Sequence, residues 1–214
     1  MRTLYLAAMV VLLGFVASAG AFASATANPL TTDRVDAEET SFGDLATDAL
    51  CAAASTTVAL APAVSFKPGA IPAGPVTKDA VSGLLYDAEE KWAVLELTGA
   101  QIRAALERAI SFAPTPRLFF LQVSGLTVVY NRTAARGRRI KSLAVGFAEI
   151  NDTAKYEVAM PGSLADGGSG YFTIFAGANK IRTGTEGLAQ VITQYVDRQG
   201  TVSYTGQGRI VVGG

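Results

Sequence analysis

The chain contains no histidine and only one cysteine in 214 residues. Neutral imidazole is the commonest transition-metal ligand and the usual general base near neutral pH. Without it, this sequence has no zinc or dinuclear phosphoesterase centre and no Ser-His-Asp or Cys-His arrangement. Calcium or magnesium could still bind to carboxylates alone, but no loop spaces Asp and Glu as such a site requires. No catalytic residue, metal ligand or cofactor is therefore expected. The lone Cys51 lies in an alanine-rich helical run, Ala49 to Ala54, and reads as a small apolar filler rather than a reactive thiol. An excess of charge of one sign is also missing, since 18 Lys and Arg balance 18 Asp and Glu. The basic patch Arg136, Arg138, Arg139 and Lys141 reads as a solvated hairpin turn, so nucleic acid is not an expected partner.

Long apolar runs are scarce as well. Leu4 to Val16 is uncharged and follows Arg2, but at about 13 residues it falls short of the roughly 20 that span a bilayer. Ala23-Ser24-Ala25 or Ala25-Thr26-Ala27 then offers a small-residue cleavage pattern. Residues 1–27 are expected to be a secretory signal peptide, and 28–214 a single domain exported to the periplasm or outside the cell. No transmembrane segment is expected after cleavage.

In the remainder, apolar residues recur at helical spacing through Phe42, Leu45, Ala49 and Ala52, with Thr40 or Ser41 as N-cap. Thr57 to Ala61 reads as a strand. Six Pro and Gly between Pro62 and Pro75 mark loop or edge structure. Thr77 caps a short helix through Leu85. Trp92 to Leu97 reads as a strand, followed by a helix from Ala100 to Ile110 whose Arg103, Glu107 and Arg108 face water. Leu118 to Val123 and Leu126 to Tyr130 read as two strands joined by a tight Ser124-Gly125 turn. Further strands are expected at Ile140 to Val145, Lys155 to Met160 and Arg209 to Val212, with a helix from Glu186 to Arg198. Irregular alternation of this kind defines an α+β fold, a mixed β-sheet packed with helices.

Gly167-Gly168-Ser169-Gly170-Tyr171 could cradle an anionic group with its backbone amides, but it matches neither a P-loop nor a dinucleotide fingerprint. Alone it reads as a turn. The joint order of several short blocks is more specific. Phe42-Gly43-Asp44-Leu45-Ala46-Thr47-Asp48-Ala49-Leu50 comes first, then Ile71-Pro72-Ala73-Gly74-Pro75-Val76-Thr77. Glu96-Leu97-Thr98-Gly99-Ala100-Gln101-Ile102 and Ala105-Leu106-Glu107 follow. Phe120-Leu121-Gln122-Val123-Ser124-Gly125-Leu126 and Leu164-Ala165-Asp166-Gly167-Gly168-Ser169-Gly170-Tyr171 complete the series. In this order the chain resembles the C-terminal, substrate-recognition domain of the 5′-nucleotidases and UDP-sugar hydrolases, over roughly Asp36 to Val212. The resemblance implies a nucleotide-binding pocket that serves a separate metallophosphoesterase domain, which these residues do not include.

The resemblance also implies which contacts have changed. Asp36 and Asp44 stand near positions where the family carries arginines, and Lys67 is the nearby cation where the family's Asn-Gly-Gly-Gly-Ile-Arg loop becomes Pro62 to Gly69. Lys does not reproduce a bidentate arginine contact. Tyr86 matches the first base-stacking aromatic, Ser163 replaces the second, and Ser169 replaces a sugar-binding aspartate. Any small ligand is expected at Lys67, Tyr86, Gly167, Gly168 and Ser169, between the Ser65–Lys67 loop, Tyr86 and the glycine turn. Three functions follow: a non-catalytic envelope module for a partner or an altered ligand, the recognition half of a split 5′-nucleotidase, and an independent hydrolase, which the missing histidine disfavours. The partners implied are a metallophosphoesterase or another envelope protein, or a small molecule.

Overall fold

The computed structural model describes residues 24–213. Most of the expected leader lies outside the described residues, but its last four, Ser24 to Ala27, belong to the folded body. Ala25–Thr26 runs parallel to Thr201–Val202 and antiparallel to Gly74–Pro75.

Among the described residues, nine strands build two principal sheets: β1 (Val58–Pro62), β2 (Lys91–Thr98), β3 (Leu121–Ser124), β4 (Leu126–Tyr130), β5 (Ile140–Val145), β6 (Ala148–Glu149), β7 (Lys155–Pro161), β8 (Asn179–Gly187) and β9 (Ile210–Val212). The first sheet has the order β8-β2-β7-β1-β3 and the second β6-β5-β4-β9. Within the first, β7 and β1 are parallel and the other pairs antiparallel, so the sheet is mixed. The same residues form α1 (Ser41–Ala54), α2 (Lys78–Gly83), α3 (Gly99–Ala109), the single-turn α4 (Gly162–Ala165) and α5 (Leu188–Gln199). The fold is α+β.

The strand register explains the layering. Successive side chains of a strand point to opposite faces. Ala59, Ala61, Val94 and Ala159 join one core with Phe42, Leu45, Leu188 and Ile192, on the α1 and α5 side. Val58, Leu60, Leu95, Leu97 and Val158 join a second core with Ile102 and Leu106 of α3 and with Val128 and Leu143 of the second sheet. Both faces of the central strands are covered, and β1 is buried throughout. This is why it reads as a continuous apolar run without polar alternation.

Caps fix the helix starts. The Thr40 side chain accepts the Gly43 N–H at 3.2 Å, and Thr98 and Gln101 form a reciprocal capping box at the start of α3. Two sequence expectations differ from the structure. Leu121–Ser124 and Leu126–Tyr130 do not form a hairpin with one another: β3 pairs with β1, whereas β4 pairs with β5 in the other sheet. Gly125, at φ +72°, is the corner between the sheets, and a Cβ there would lie 1.7 Å from the Thr57 carbonyl oxygen. The nine-residue strand β8 is also unanticipated by its sequence. Its burial is mostly shallow because it is an edge strand, so its residues carry little apolar signal.

Candidate functional site

Parallel strands β1 and β7 end on the same side of the first sheet, where antiparallel β2 begins. Prolines 62 and 161 are the last residues of β1 and β7. Beyond β1 the chain makes a 3-10 turn, Ala63–Ser65, and beyond β7 it enters α4 and the glycine turn. The segment between α2 and β2 returns beside the first of these. Phe66 and Leu85 form a bridge, the Tyr86 N–H donates to the Ser65 carbonyl at 3.0 Å, and the Lys67 N–H donates to Leu84 at 2.9 Å. Buried Phe66 packs edge-on against Phe42 of α1 at 5.9 Å, which ties this loop to the core. Leu85 points into the protein, and Tyr86 is left 61% exposed.

These segments enclose a cavity of about 450 Å³ lined by Val64, Ser65, Tyr86, Asp87, Glu90, Ser163, Gly168 and Ser169. Tyr86, Gly168 and Ser169 are thus brought together. Gly167 supports the turn from behind rather than lining the cavity. Lys67 also stays outside the lining, with its Nζ 5.9 Å from the centre of the Tyr86 ring.

The turn owes its shape to backbone conformations and close packing. Gly167, Ser169 and Gly170 all have positive φ. A Cβ on Gly168 would meet the Ser163 carbonyl oxygen at 2.6 Å. Glu90 links the two sides of the cavity, since its Oε1 accepts the Ser163 N–H at 2.8 Å. Below the turn, buried Tyr171 donates its hydroxyl to the Phe119 carbonyl at 2.6 Å and stacks on Phe175.

Several charged residues have roles that the sequence does not reveal. Arg108, read from the helix wheel as water-facing, reaches the turn from the opposite side. Its Nη2 donates to the Ser169 carbonyl at 2.7 Å, and its guanidinium lies over the Phe119 and Tyr171 rings at 4.5 and 5.3 Å. Glu107 accepts the backbone N–H groups of Arg139 and Ile140. Arg139 is correspondingly not a solvated turn residue, since it donates to the carbonyls of Ile110 and Ala113. A larger groove of about 550 Å³ lies along α3, lined by Ala104, Arg103, Arg108, Gly170, Thr173 and Ile174 among others. Its charges are already engaged: Arg103 pairs with Asp152 at 3.0 Å, while Arg108 and Glu107 serve the backbone. The Tyr86 cavity is the better candidate site, because its tyrosine is 61% exposed and its two carboxylates have no salt-bridge partner among the described residues.

Asp44 stands elsewhere. The resemblance places it near a position where the family carries an arginine, but it is fully buried and does not line the Tyr86 cavity. Burial pushes its carboxyl up to about 8, against the pull of Arg209, with Glu39 and Asp48 adding to the rise. Arg209 Nε lies 3.5 Å from Asp44 Oδ1, while its Nη2 donates to Asp48 at 2.8 Å. Glu39 accepts the N–H groups of Gln207, Arg209 and Ile210. This cluster anchors the C-terminal strand. Cys51 is half-buried on α1, and burial raises its thiol pKa.

A mixed sheet with helices on its faces and a cavity beside Tyr86 at one strand end defines a small α+β domain. The family is specific: a model of the 5′-nucleotidase C-terminal domain matches residues 18–177, and the chain belongs to that family. Among curated proteins it is similar to a snake venom 5′-nucleotidase of Naja atra, 28% identical over 126 residues, covering 55% of this chain and 24% of that protein. It is also similar to an apyrase of Anopheles gambiae, 27% identical over 176 residues, covering 78% of this chain and 30% of that protein. The chain therefore spans about a quarter of the length of the venom enzyme. Among solved structures, a 5′-nucleotidase precursor from Thermus thermophilus matches with a TM-score of 0.80 and 27% identity, over 88% of this chain and 38% of that one. The sulfate thiohydrolase SoxB of the same genus shares the fold at a TM-score of 0.71 and 22% identity, over 90% of this chain and 35% of that one.

Proposed function

We propose that this chain is an exported, non-catalytic recognition module. It uses the 5′-nucleotidase C-terminal scaffold to bind a ligand or a partner protein and performs no hydrolysis of its own. The observation that carries this reading is the Tyr86 cavity: the scaffold that shapes it is kept, while Asp87 and Glu90 are the charged side chains that line it. The absence of histidine supports the non-catalytic part, because a nucleotide hydrolase of the metallophosphoesterase type needs imidazole ligands. Export to the periplasm or the cell exterior rests on the apolar N-terminal run and the Ala-x-Ala pattern, and it agrees with relatives named as venom proteins. Among the described residues, no helix is long and apolar enough to cross a membrane.

An exposed apolar rim favours a second reading, the recognition half of a split 5′-nucleotidase. Val64 and Tyr86 line the cavity, and Leu118 and Phe172 are exposed on the adjoining segments, the last three of these at 61%, 59% and 67% exposure. Val64 is hydrogen-bonded to Leu118, and Phe172 packs against Gly167. A separate metallophosphoesterase chain seated there would bury this surface and close the cavity. The deciding experiment assays the purified chain with AMP and UDP-glucose in the presence of magnesium and manganese, alone and with a metallophosphoesterase from the same organism. No turnover in either case supports the module. Turnover with the partner alone supports the split enzyme, and turnover by the chain alone refutes both.

A further inference from the structure

The walls of the Tyr86 cavity carry the wrong charge for a phosphate. The charged side chains that line it are Asp87 and Glu90, and no cation does. Each spends one oxygen on the backbone: Asp87 Oδ1 accepts the Glu89 N–H at 3.1 Å, and Glu90 Oε1 accepts the Ser163 N–H at 2.8 Å. That leaves one oxygen apiece outside these bonds. The surrounding cations are committed elsewhere or set back. Lys78 pairs with Glu89, Arg108 holds the Ser169 carbonyl from behind the turn, and Lys67 lies over the Tyr86 ring without reaching the lining.

An ionised carboxylate only accepts hydrogen bonds, and so does a phosphate dianion. A phosphorylated ligand would bring further negative charge beside two acidic side chains, and the donors that line the cavity with them, the hydroxyls of Ser65, Ser163 and Ser169, are neutral and do not offset that charge. A ring ligand with hydroxyl or ammonium donors meets the opposite situation. Its flat face covers Tyr86, and its donors satisfy Asp87 and Glu90.

We propose that the Tyr86 cavity selects against phosphate and takes an uncharged or cationic ring ligand, whose donors meet Asp87 and Glu90. This rests on the reading above that the cavity is a binding site.

A charge series on one nucleoside scaffold tests it: AMP, adenosine and 5′-amino-5′-deoxyadenosine, titrated by calorimetry into the folded chain at low and at moderate salt. The amino compound binds tightest and AMP weakest, with a spread of about tenfold per step at low salt that narrows as salt screens it. The double variant Asp87→Asn, Glu90→Gln, checked for native circular dichroism, brings the three affinities together. If AMP binds tightest, or the spread persists in the double variant, the charge selection is wrong while the cavity stands. If none of the three binds, or Tyr86→Ala leaves binding unchanged, both the binding site and this inference fall.

Discussion

Two groups of carboxylates sit at different places in this fold and do opposite work. Glu39, Asp44 and Asp48 gather at Arg209 where the C-terminal strand meets α1, and Asp44 there is fully buried. Asp87 and Glu90 stand in an open cavity beside an exposed tyrosine, within reach of solvent. Three carboxylates crowd around one arginine in the first group, and burial makes one of them, Asp44, hold its proton. Residue type thus sets the available chemistry, while burial decides between anchoring the chain and staying open to solvent.

Removing the shared cation breaks the comparison most severely. Arg209→Ala leaves buried Asp44 and half-buried Asp48 without their partner and frees β9. Its side chain is only 14% exposed, and losing its charged hydrogen bond to Asp48 together with its contact to Asp44 costs about 3 kcal/mol, read as a lower urea midpoint.

Asp44 gives a pH signature of its own. Its folded pKa of about 8 lies above the ordinary 3.8, so folding takes up a proton between these limits. Stability from this group is highest below pH 4, falls by up to about 1.4 kcal/mol per unit as pH rises toward 8, and levels off above. Asp44→Asn removes that slope. Denaturation midpoints measured from about pH 4 to 9 check it, and a slope unchanged in the variant contradicts the assignment.

Arg108→Ala tests the turn from behind. It removes a charged donor to the Ser169 carbonyl and the cation over two rings, a loss of about 1.5–3 kcal/mol. Ligand affinity should fall with it, because Ser169 lines the cavity.

Tyr86→Ala should change stability least, within about 0.5 kcal/mol, because the ring is exposed. Affinity for any ring ligand should nonetheless drop by about tenfold or more, as stacking on an aromatic face is lost. A large stability loss with unchanged binding would reverse the roles assigned to the two regions.

Much of the scaffold was legible in the sequence for local reasons. The helices at Ser41 and Lys78 begin where Thr40 and Thr77 cap them, and the strand at Lys91 carries a mostly buried apolar run. Arg108 was misread, and the partner of Asp44 went unseen, because a helix wheel shows which side a residue lies on, not what another segment brings to that side. Ser169 arrives over Arg108 from 61 residues away, and Arg209 reaches Asp44 from 165. The same limit hid Asp87 and Glu90. Each is an ordinary loop acid until Ser163 and the glycine turn close the cavity around it.

Fold class, the missing imidazole chemistry and the family could all be read along the chain, because periodicity, composition and ordered motifs are properties of the chain itself. Other features emerged only on folding: Ser124-Gly125 turns between two sheets, Arg209 gathers three carboxylates, and Tyr86 shares its cavity with two more. One cause underlies each case. Burial and charge neutralisation depend on which distant segments meet, and local spacing does not encode that meeting.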